Sequence, residues 1–457
     1  MAVTETAGGL MGFSHENFPH PFRFLIYVAL LLLSPGWGSI EASAQDSATG
    51  GRAGVATLSS AGSMTGVNLQ RNYAYQAKGL AQKPTQVAWR SPRLFNMPYL
   101  GMGTSFINNE YLVGQTQYSF PTYFNFSDPI LSGKTLLISI NIGNAYLTAL
   151  SAEDGAIRWN LPFKRTWLSA PAVAGGVVYV ISNENWLYGF DLETGRELWR
   201  HKEKGKQLST SPPVIAQGVV FFMTLDNTLH ALQLDSRDKA WLFKAKHGIN
   251  SYAMINDTLI LGGEKGMLYA LNVKTGQVKW QFDADGDINT VTIDKDTAYF
   301  RTVKGMLYAV ALENGAQRWV LKLGGSVLPV FPISSVQIGS TLAFSDDALF
   351  FTGEESKKFF LYAIDSRQGK QIWKFELDSP SRSPVIAGGL IYVGTIGWLY
   401  AVDAKSGEMR YSVENRRKYK ETDDEEGGLR AHVVSAPIVL DGALLFVSDD
   451  GSAYAVR

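Results

Sequence analysis

Short apolar runs bounded by glycine-containing turns recur through most of the chain. Val177–Ile181 follows Ala174–Gly176, and Leu390–Gly394 follows Ala387–Gly389 in the same arrangement. Short runs of β-branched and aromatic residues between turn signals are typical of strands, whereas helices show longer stretches with a 3.6-residue period. The pattern therefore predicts an all-β protein built from many short strands.

A longer unit repeats together with these strands. In its second copy, Tyr188 is followed eleven positions later by Trp199, and Gly195 lies four positions before the Trp. Seven copies share the eleven-residue spacing, and the Gly is present in all but one, where Arg237 replaces it. Successive copies are 38 to 54 residues apart, and a period of about 40 residues is that of a four-stranded propeller blade. The first and last positions pair Thr148 with Trp159, Tyr188 with Trp199, His230 with Trp241, Tyr269 with Trp280, Tyr308 with Trp319, Tyr362 with Trp373, and Tyr400 with Tyr411.

An eighth copy begins at Tyr454, and the sequence ends at Arg457 before any Trp. Gln86–Arg90 contains Trp89 and has the pattern of the missing outermost strand. We predict that this N-terminal strand completes the last blade, which gives an eight-bladed β-propeller without an open sheet edge. A residue needed once per blade is a packing residue, so we assign blade docking to Trp89, Trp159, Trp199, Trp241, Trp280, Trp319, Trp373 and Tyr411.

The first 44 residues have the organisation of a secretory signal. An apolar run at 24–33 follows Arg23, and the small residues Ala42–Ala44 precede Gln45. This run is too short to span a bilayer as a helix, which takes about 20 residues, and the order of charged, apolar and small-residue regions is typical of a signal peptide. An uncleaved anchor and a buried helix are the alternatives. We predict a signal peptide at 1–44, a flexible linker rich in Gly, Ser, Ala and Thr at 45–84, and the propeller at 85–457.

Charge and composition exclude several classes of function. The 42 Lys and Arg residues equal the 42 Asp and Glu residues, so the chain lacks the basic excess that nucleic-acid binding requires. The sequence contains no Cys. This excludes disulfides, Cys-ligated zinc or iron–sulfur centres, a thiol nucleophile and a lipid attached through Cys.

No residue pattern predicts a metal site or a catalytic centre. The six His residues form no His-x-x-x-His or Glu-x-x-His pair. His230 occupies the repeated Tyr position, which predicts a substitution in the core or at a rim. Asp283–Asp287 resembles a calcium loop, but Ile288 and Asp294 stand where an EF-hand has Gly and Glu. We predict no catalytic residue, no metal and no bound cofactor.

The repeated Gly and Trp resemble those of PQQ-type eight-bladed β-propellers. That fold is shared by the PQQ-dependent alcohol dehydrogenases and by the non-enzymatic group similar to the outer-membrane assembly lipoprotein BamB. The chain resembles the second group more, because 85–457 has the length of a bare propeller and Asp450–Arg457 resembles that group's terminal strand. It lacks the adjacent cysteines of the dehydrogenases and the lipidated Cys of the BamB group. Lys246–Ser251 stands where the BamB group has its partner-binding loop with Leu and Arg.

Two stretches outside the repeat are candidate partner surfaces. Glu414–Glu426 changes from basic to acidic within one segment, and Tyr118–Phe126 is rich in aromatic residues that would mark an interface if exposed. The alternatives are a solvated loop for the first stretch, and for the second a segment that covers a sheet or plugs the ring. The candidate partner-binding residues are Arg416, Arg417, Tyr419, Tyr123 and Phe124.

These features and the resemblance predict an exported, non-catalytic scaffold that binds protein partners in the periplasm or cell envelope, with outer-membrane protein assembly as the role that the resemblance implies. We expect a monomer within a complex, without nucleic acid, without a transmembrane span after signal cleavage and without a lipid on Cys. The alternatives are a PQQ-dependent oxidoreductase and a protein that binds an envelope polysaccharide or other ligand. Trp167, Trp186 and Trp398, the blade tryptophans outside the repeat position, keep the quinoprotein alternative open.

Overall fold

The computed structural model describes residues 79–94 and 124–457, apart from 324–340, 415–434 and a few shorter gaps, together with four two-residue strands between 41 and 111. Regular structure in these residues is β-strand except for one 3₁₀ turn at Glu264–Gly266. None of the helical structure in this part of the chain is long and apolar enough to cross a membrane.

The described strands form eight sheets, which we call blades I to VIII, and one short hairpin. The strands before blade I are β1 (Glu41–Ala42), β2 (Ala74–Tyr75), β3 (Val87–Arg90), β4 (Phe106–Ile107) and β5 (Glu110–Tyr111). Blade I contains β6 (Phe124–Phe126), β7 (Ile130–Ser132), β8 (Thr135–Ile142), β9 (Asn144–Ser151) and β10 (Ile157–Phe163). Blade II contains β11 (Ala172–Ala174), β12 (Val177–Ile181), β13 (Trp186–Asp191) and β14 (Glu197–Lys202). Blade III contains β15 (Val214–Ala216), β16 (Val219–Thr224), β17 (Thr228–Gln233) and β18 (Lys239–Lys244).

The remaining blades continue in chain order. Blade IV contains β19 (Ile249–Ile255), β20 (Thr258–Gly263), β21 (Met267–Asn272) and β22 (Val278–Asp283). Blade V contains β23 (Ile288–Asp294), β24 (Thr297–Thr302), β25 (Met306–Ala311) and β26 (Gln317–Lys322). Blade VI contains β27 (Ala343–Ser345), β28 (Ala348–Glu355), β29 (Lys358–Asp365) and β30 (Gln371–Leu377). Blade VII contains β31 (Val385–Ala387), β32 (Leu390–Gly394), β33 (Trp398–Asp403) and β34 (Met409–Glu414), and blade VIII contains β35 (Ile438–Leu440), β36 (Ala443–Val447), β37 (Ala453–Val456) and β3.

Each blade is an antiparallel meander whose first strand is innermost. The two middle strands are buried on both faces, as in β16, where all six positions are buried, because neighbouring blades cover both sides of the sheet. The outermost strand is exposed at alternate positions. The turns between first and second strands and between third and fourth strands share one end of the ring, the hairpin rim. The other turns and the links between blades form the opposite end, the connection rim.

The ring is closed without a covalent bond, as the sequence predicts. Strand β3 pairs antiparallel with β37 and matches Val87 with Val456 and Trp89 with Ala455. Reciprocal backbone hydrogen bonds between Gln86 and Arg457 extend the pairing at 3.0 and 3.1 Å. The edge of blade VIII is therefore completed by a strand from the other end of the sequence. The prediction of an eight-bladed all-β propeller closed in this way is confirmed.

Part of the N-terminal region lies against the innermost strands. Strand β1 pairs parallel with β11 of blade II, and β2 pairs parallel with β31 of blade VII. Further along, Gly79 lies so close to blade VII that an added Cβ would come within 2.5 Å of the carbonyl oxygen of Ala387. Some residues of the predicted linker 45–84 therefore contact the propeller.

Candidate functional site

Six repeat-position tryptophans in the described blades make the same contact with the next blade. In each case the indole Nε1–H donates to a backbone carbonyl of that blade at 2.7 to 3.1 Å. The indole ring covers a glycine of the outer hairpin so closely that an added Cβ would lie 2.5 to 2.7 Å from it. These side chains are occupied by packing and offer no free donor to a ligand. The pairs are Trp89 with Gly155, Trp159 with Gly195, Trp241 with Gly276, Trp280 with Gly315, Trp319 with Gly369, and Trp373 with Gly407.

The other two repeat positions, Trp199 and Tyr411, lie at contact surfaces between neighbouring blades, which we call seams, and these two seams lack the Trp–Gly contact between blades. Opposite Trp199, Arg237 keeps the left-handed conformation of the missing glycine, with a φ of 62°, and its guanidinium lies 5.4 Å from the Trp199 ring centroid. At the seam between blades VII and VIII, the Tyr411 hydroxyl donates to the carbonyl of Leu80 at 3.1 Å. The Leu80 N–H donates to the Tyr392 hydroxyl at 2.6 Å. The N-terminal region therefore completes this seam as well as blade VIII.

Most of the predicted partner-binding residues lie outside the described part of the chain. This holds for Arg416, Arg417, Tyr419 and Tyr123. Phe124 begins β6, and its backbone pairs with Ile142 of β8, but its side chain also lies outside the description. The partner role of these five residues stays a prediction.

Two of the tryptophans outside the repeat position mark the connection rim. Trp186 begins β13, and both the Arg200 guanidinium and the Lys202 ammonium lie 4.8 Å from its ring centroid. Trp398 begins β33 and packs beside Tyr400 with ring centroids 6.4 Å apart. Both rings are half-buried. Cations already cover Trp186, so its ring is not an open platform for stacking a quinone or a sugar.

A groove of about 630 Å³ opens on the connection rim between blades III and IV. The rings of Phe243 and Tyr269 form its apolar floor, with centroids 5.3 Å apart in an edge-to-face arrangement. Exposed polar side chains surround this floor, among them Lys246 and Gln281. An apolar floor with a polar border is the arrangement that buries an anchor side chain of a protein partner. The other residues that line the groove are Lys244, Ala245, Met267, Phe282 and Asp283.

This groove was not predicted from the sequence, although Lys246 belongs to the segment Lys246–Ser251 that stands where the BamB group has its partner-binding loop. The groove combines the end of β18 with the neighbouring strands β21 and β22, so its residues are separated along the chain. The position four residues after each repeat Trp holds the small residues Ala245 and Ala284 where Leu323 and Leu377 are large. A small residue at this position leaves room for a depression, but it occurs at two neighbouring seams and does not by itself identify this groove.

The seam between blades II and III contains a buried polar cluster. The Glu203 side chain is 5% exposed, and its Oε2 lies 3.6 Å from both His201 Nε2 and His230 Nδ1. Its Oε1 lies 3.2 Å from the Lys239 ammonium. The His230 ring stacks on Phe222 with centroids 5.0 Å apart. Burial lowers the pKa of His230, and the nearby Glu203 carboxylate opposes this shift.

The innermost strands do not fit PQQ, the cofactor that the dehydrogenase alternative requires. PQQ carries three carboxylates, and buried carboxylates need cations or several hydrogen-bond donors. The described innermost strands contain no Lys or Arg and are mainly aliphatic. Asp294 of β23 would repel an anionic ligand once ionised, and burial raises its pKa. The described innermost strands therefore do not form a site that fits PQQ.

The acidic turn after β22 is held by basic and backbone groups. The Lys304 ammonium donates to Asp285 at 2.5 Å, and the backbone N–H of Lys265 donates to Asp287 at 2.8 Å. Across the part of the chain that the structure describes, no three His, Asp or Glu side chains have the arrangement that holds a metal ion. The acidic turn is therefore explained by local pairing.

Comparisons with known proteins agree with this architecture. The family model described as outer membrane protein assembly factor BamB matches residues 125–241 and 357–457. The structure of BamB from Moraxella catarrhalis superposes with a TM-score of 0.55 at 17% identity and covers 73% of this chain and 96% of that chain. The quinohemoprotein alcohol dehydrogenase of Comamonas testosteroni superposes with a TM-score of 0.61 at 13% identity, over 86% of this chain and 80% of that chain. At these identities the likeness concerns the fold.

One curated relative matches in sequence. The quinohemoprotein alcohol dehydrogenase ADH-IIG of Pseudomonas putida is 30% identical over 126 residues, which is 24% of this chain and 16% of the dehydrogenase. The match thus spans about one sixth of that enzyme. The fold defines the chain as an eight-bladed β-propeller, and its repeat is similar to that of the PQQ-type propellers. Its repeats are similar to those of the BamB family, as the sequence resemblance indicates.

Proposed function

We propose that this protein is a non-catalytic scaffold that binds a protein partner on its connection rim and acts in outer-membrane protein assembly. The observation that carries the proposal is the groove between blades III and IV, whose apolar floor of Phe243 and Tyr269 is bordered by exposed polar side chains. The match to the BamB family model supports the choice of partner. The lack of fit between the innermost strands and PQQ argues against the dehydrogenase alternative.

A pair of substitutions that makes the border of the groove more negative tests this surface. Lys246→Glu with Gln281→Glu changes two exposed groove residues. Lys274→Glu with Gln277→Glu makes the same changes at exposed positions on the hairpin rim of the same blade and serves as the matched control. The full chain is purified with its partners from detergent-solubilised envelopes of its host, and outer-membrane assembly proteins are quantified by mass spectrometry.

We expect the groove pair to reduce recovery of these assembly proteins at least tenfold, and the control pair to leave it unchanged. Equal recovery with both pairs would contradict the proposed surface. Equilibrium dialysis of the purified chain against PQQ and Ca²⁺ at about 100 µM tests the alternative. Stoichiometric binding of the cofactor would overturn the scaffold proposal.

The proposed location is the periplasm or cell envelope, which rests on the signal peptide predicted at 1–44. Cell fractionation and N-terminal sequencing of the mature chain test it. We expect a mature protein that begins at Gln45 and therefore lacks β1, which lies within the predicted signal peptide. Recovery of the full-length chain in the cytoplasm would contradict the proposed location.

A further inference from the structure

The seam between blades II and III differs from other seams at the positions that face its interior. Two and four residues after the repeat Trp, blade II has His201 and Glu203. Blades I, III, IV, V and VI have only apolar residues at these positions: Leu161 and Phe163, Phe243 and Ala245, Phe282 and Ala284, Leu321 and Leu323, and Phe375 and Leu377. Because the blades are copies of one unit, these apolar residues show what packing alone needs there.

The facing blade differs at the same place. His230 of blade III stands where blades II, IV, V, VI and VII have Tyr. In four of those blades the Tyr ring packs edge-to-face on a Phe from the preceding blade. Lys239 of β18 completes the group by pairing with Glu203. Three departures from the repeat, His201, Glu203 and His230, therefore meet Lys239 at one point, although they come from two blades.

The cluster is enclosed and sensitive to charge. His230 is 4% exposed, and the charged and titratable groups that face it are Glu203, Lys239, Asp226 and His201. With both His side chains neutral, the Glu203 carboxylate is balanced by the Lys239 ammonium. Glu203 Oε2 lies 3.6 Å from a nitrogen of each His ring, which exceeds the range of a hydrogen bond. In the closed seam, neither His ring therefore donates a hydrogen bond to the Glu203 carboxylate.

We propose that this seam is a pH-sensitive joint, at which uptake of a proton by His230, buried beside Glu203 and His201, weakens the contact between blades II and III. Burial lowers the pKa of His230 in the closed seam, so an open seam binds the proton more tightly. The stability that neutral His230 contributes is therefore complete above its unfolded pKa of about 6.5 and is lost as the pH falls from there. Acidification loosens the ring first at this seam.

Hydrogen exchange of the full-length chain, followed by mass spectrometry at pH 7.5 and pH 5.5 and corrected for intrinsic exchange, tests the joint. If one proton is linked to opening, protection of peptides that cover β14 and β17 falls by up to about tenfold per pH unit. This applies between the pKa of His230 in the closed seam and its pKa in the open seam. Protection of β21 and β22 at the neighbouring seam changes less. This comparison within the unmodified protein requires no substitution.

Two variants assign the effect to the cluster. The triple variant His201→Phe, Glu203→Ala and His230→Tyr copies Phe243, Ala245 and Tyr269 from the next seam, and we expect it to remove the extra pH response. His247→Gln removes a histidine outside the cluster and should retain the response. Equal pH responses at both seams, or higher protection of β14 and β17 at pH 5.5, would overturn the proposal. A change in their protection on adding Zn²⁺ or EDTA at constant pH would also overturn it, because the cluster would then be a metal site.

Discussion

The contact between Gly315 and Trp280 allows the docking of one blade on the next to be measured as a free energy. Both Gly315 and Gly176 lie in hairpin turns with almost the same left-handed conformation, at φ of 72° and 74°. An added Cβ at Gly315 would lie 2.6 Å from Trp280 Cε3, whereas at Gly176 nothing lies within 4 Å. Gly315→Ala and Gly176→Ala therefore differ mainly in the blade contact.

The expected magnitudes follow from these two terms. A left-handed conformation costs a non-glycine residue about 1–2 kcal/mol, which is the whole expected effect of Gly176→Ala. Gly315→Ala adds the overpacking of a filled contact, about 1–3 kcal/mol, and should lower the free energy of unfolding by about 2–5 kcal/mol. Trp280→Ala removes the obstructing ring. In that background, Gly315→Ala should cost no more than Gly176→Ala does.

The assay is urea denaturation of the four variants and the parent chain, monitored by far-UV circular dichroism. The Trp280→Ala variant by itself should be destabilised by about 3–5 kcal/mol, because it leaves a cavity and removes the hydrogen bond to Leu312. Equal destabilisation by Gly315→Ala and Gly176→Ala would refute the reasoning. It would mean that the seam yields to an added methyl group and that the Trp–Gly contact does not fix the blades.

Three further predictions test other parts of the ring. Tyr411→Phe removes the hydroxyl that donates to Leu80, and should lower the free energy of unfolding by about 1 kcal/mol in urea denaturation. Burial raises the pKa of Tyr179 to about 12, so the stability that its neutral form contributes is complete below pH 10 and is lost between about pH 10 and 12. Tyr179→Phe should therefore reduce the decrease in the urea midpoint between pH 9 and pH 11. An unchanged decrease would contradict this prediction. Removal of residues 1–91 deletes β3 and exposes the edge of β37, so light scattering should detect aggregation that a chain beginning at residue 79 does not show.

The fold was predictable because each blade repeats the same pattern of apolar, glycine and tryptophan positions. Eleven-residue spacing and a glycine turn identified the blades, and the unpaired repeat at Tyr454 indicated that Trp89 closes the ring. Propeller strands pair with neighbours in the sequence, so local patterns are sufficient to define them. The pairing of β1 and β2 with the innermost strands was not predictable, because these short segments carry no repeat signal.

The groove and the His–Glu cluster could not be read from one segment. His201 and His230 are close in space because adjacent blades bring them together across a seam, and their separation along the chain fits no metal or catalytic motif. The repeat predicts that His230 replaces a Tyr in the core or at a rim, and in the structure it is 4% exposed. Treating the blades as aligned copies would have shown that His201 and Glu203 depart from the repeat in the facing position.

The closure of the ring also sets the order in which the molecule can form. Arg90 and Ser452, which are joined by a hydrogen bond across blade VIII, are 362 residues apart in the chain. At a synthesis rate of about 5–20 residues per second, β37 is synthesised tens of seconds after β3, with which it pairs. Earlier blades can assemble from local contacts, but the final one cannot. A chain that is still being synthesised therefore carries β3 unpaired, and a chaperone can hold this strand until the last residues emerge.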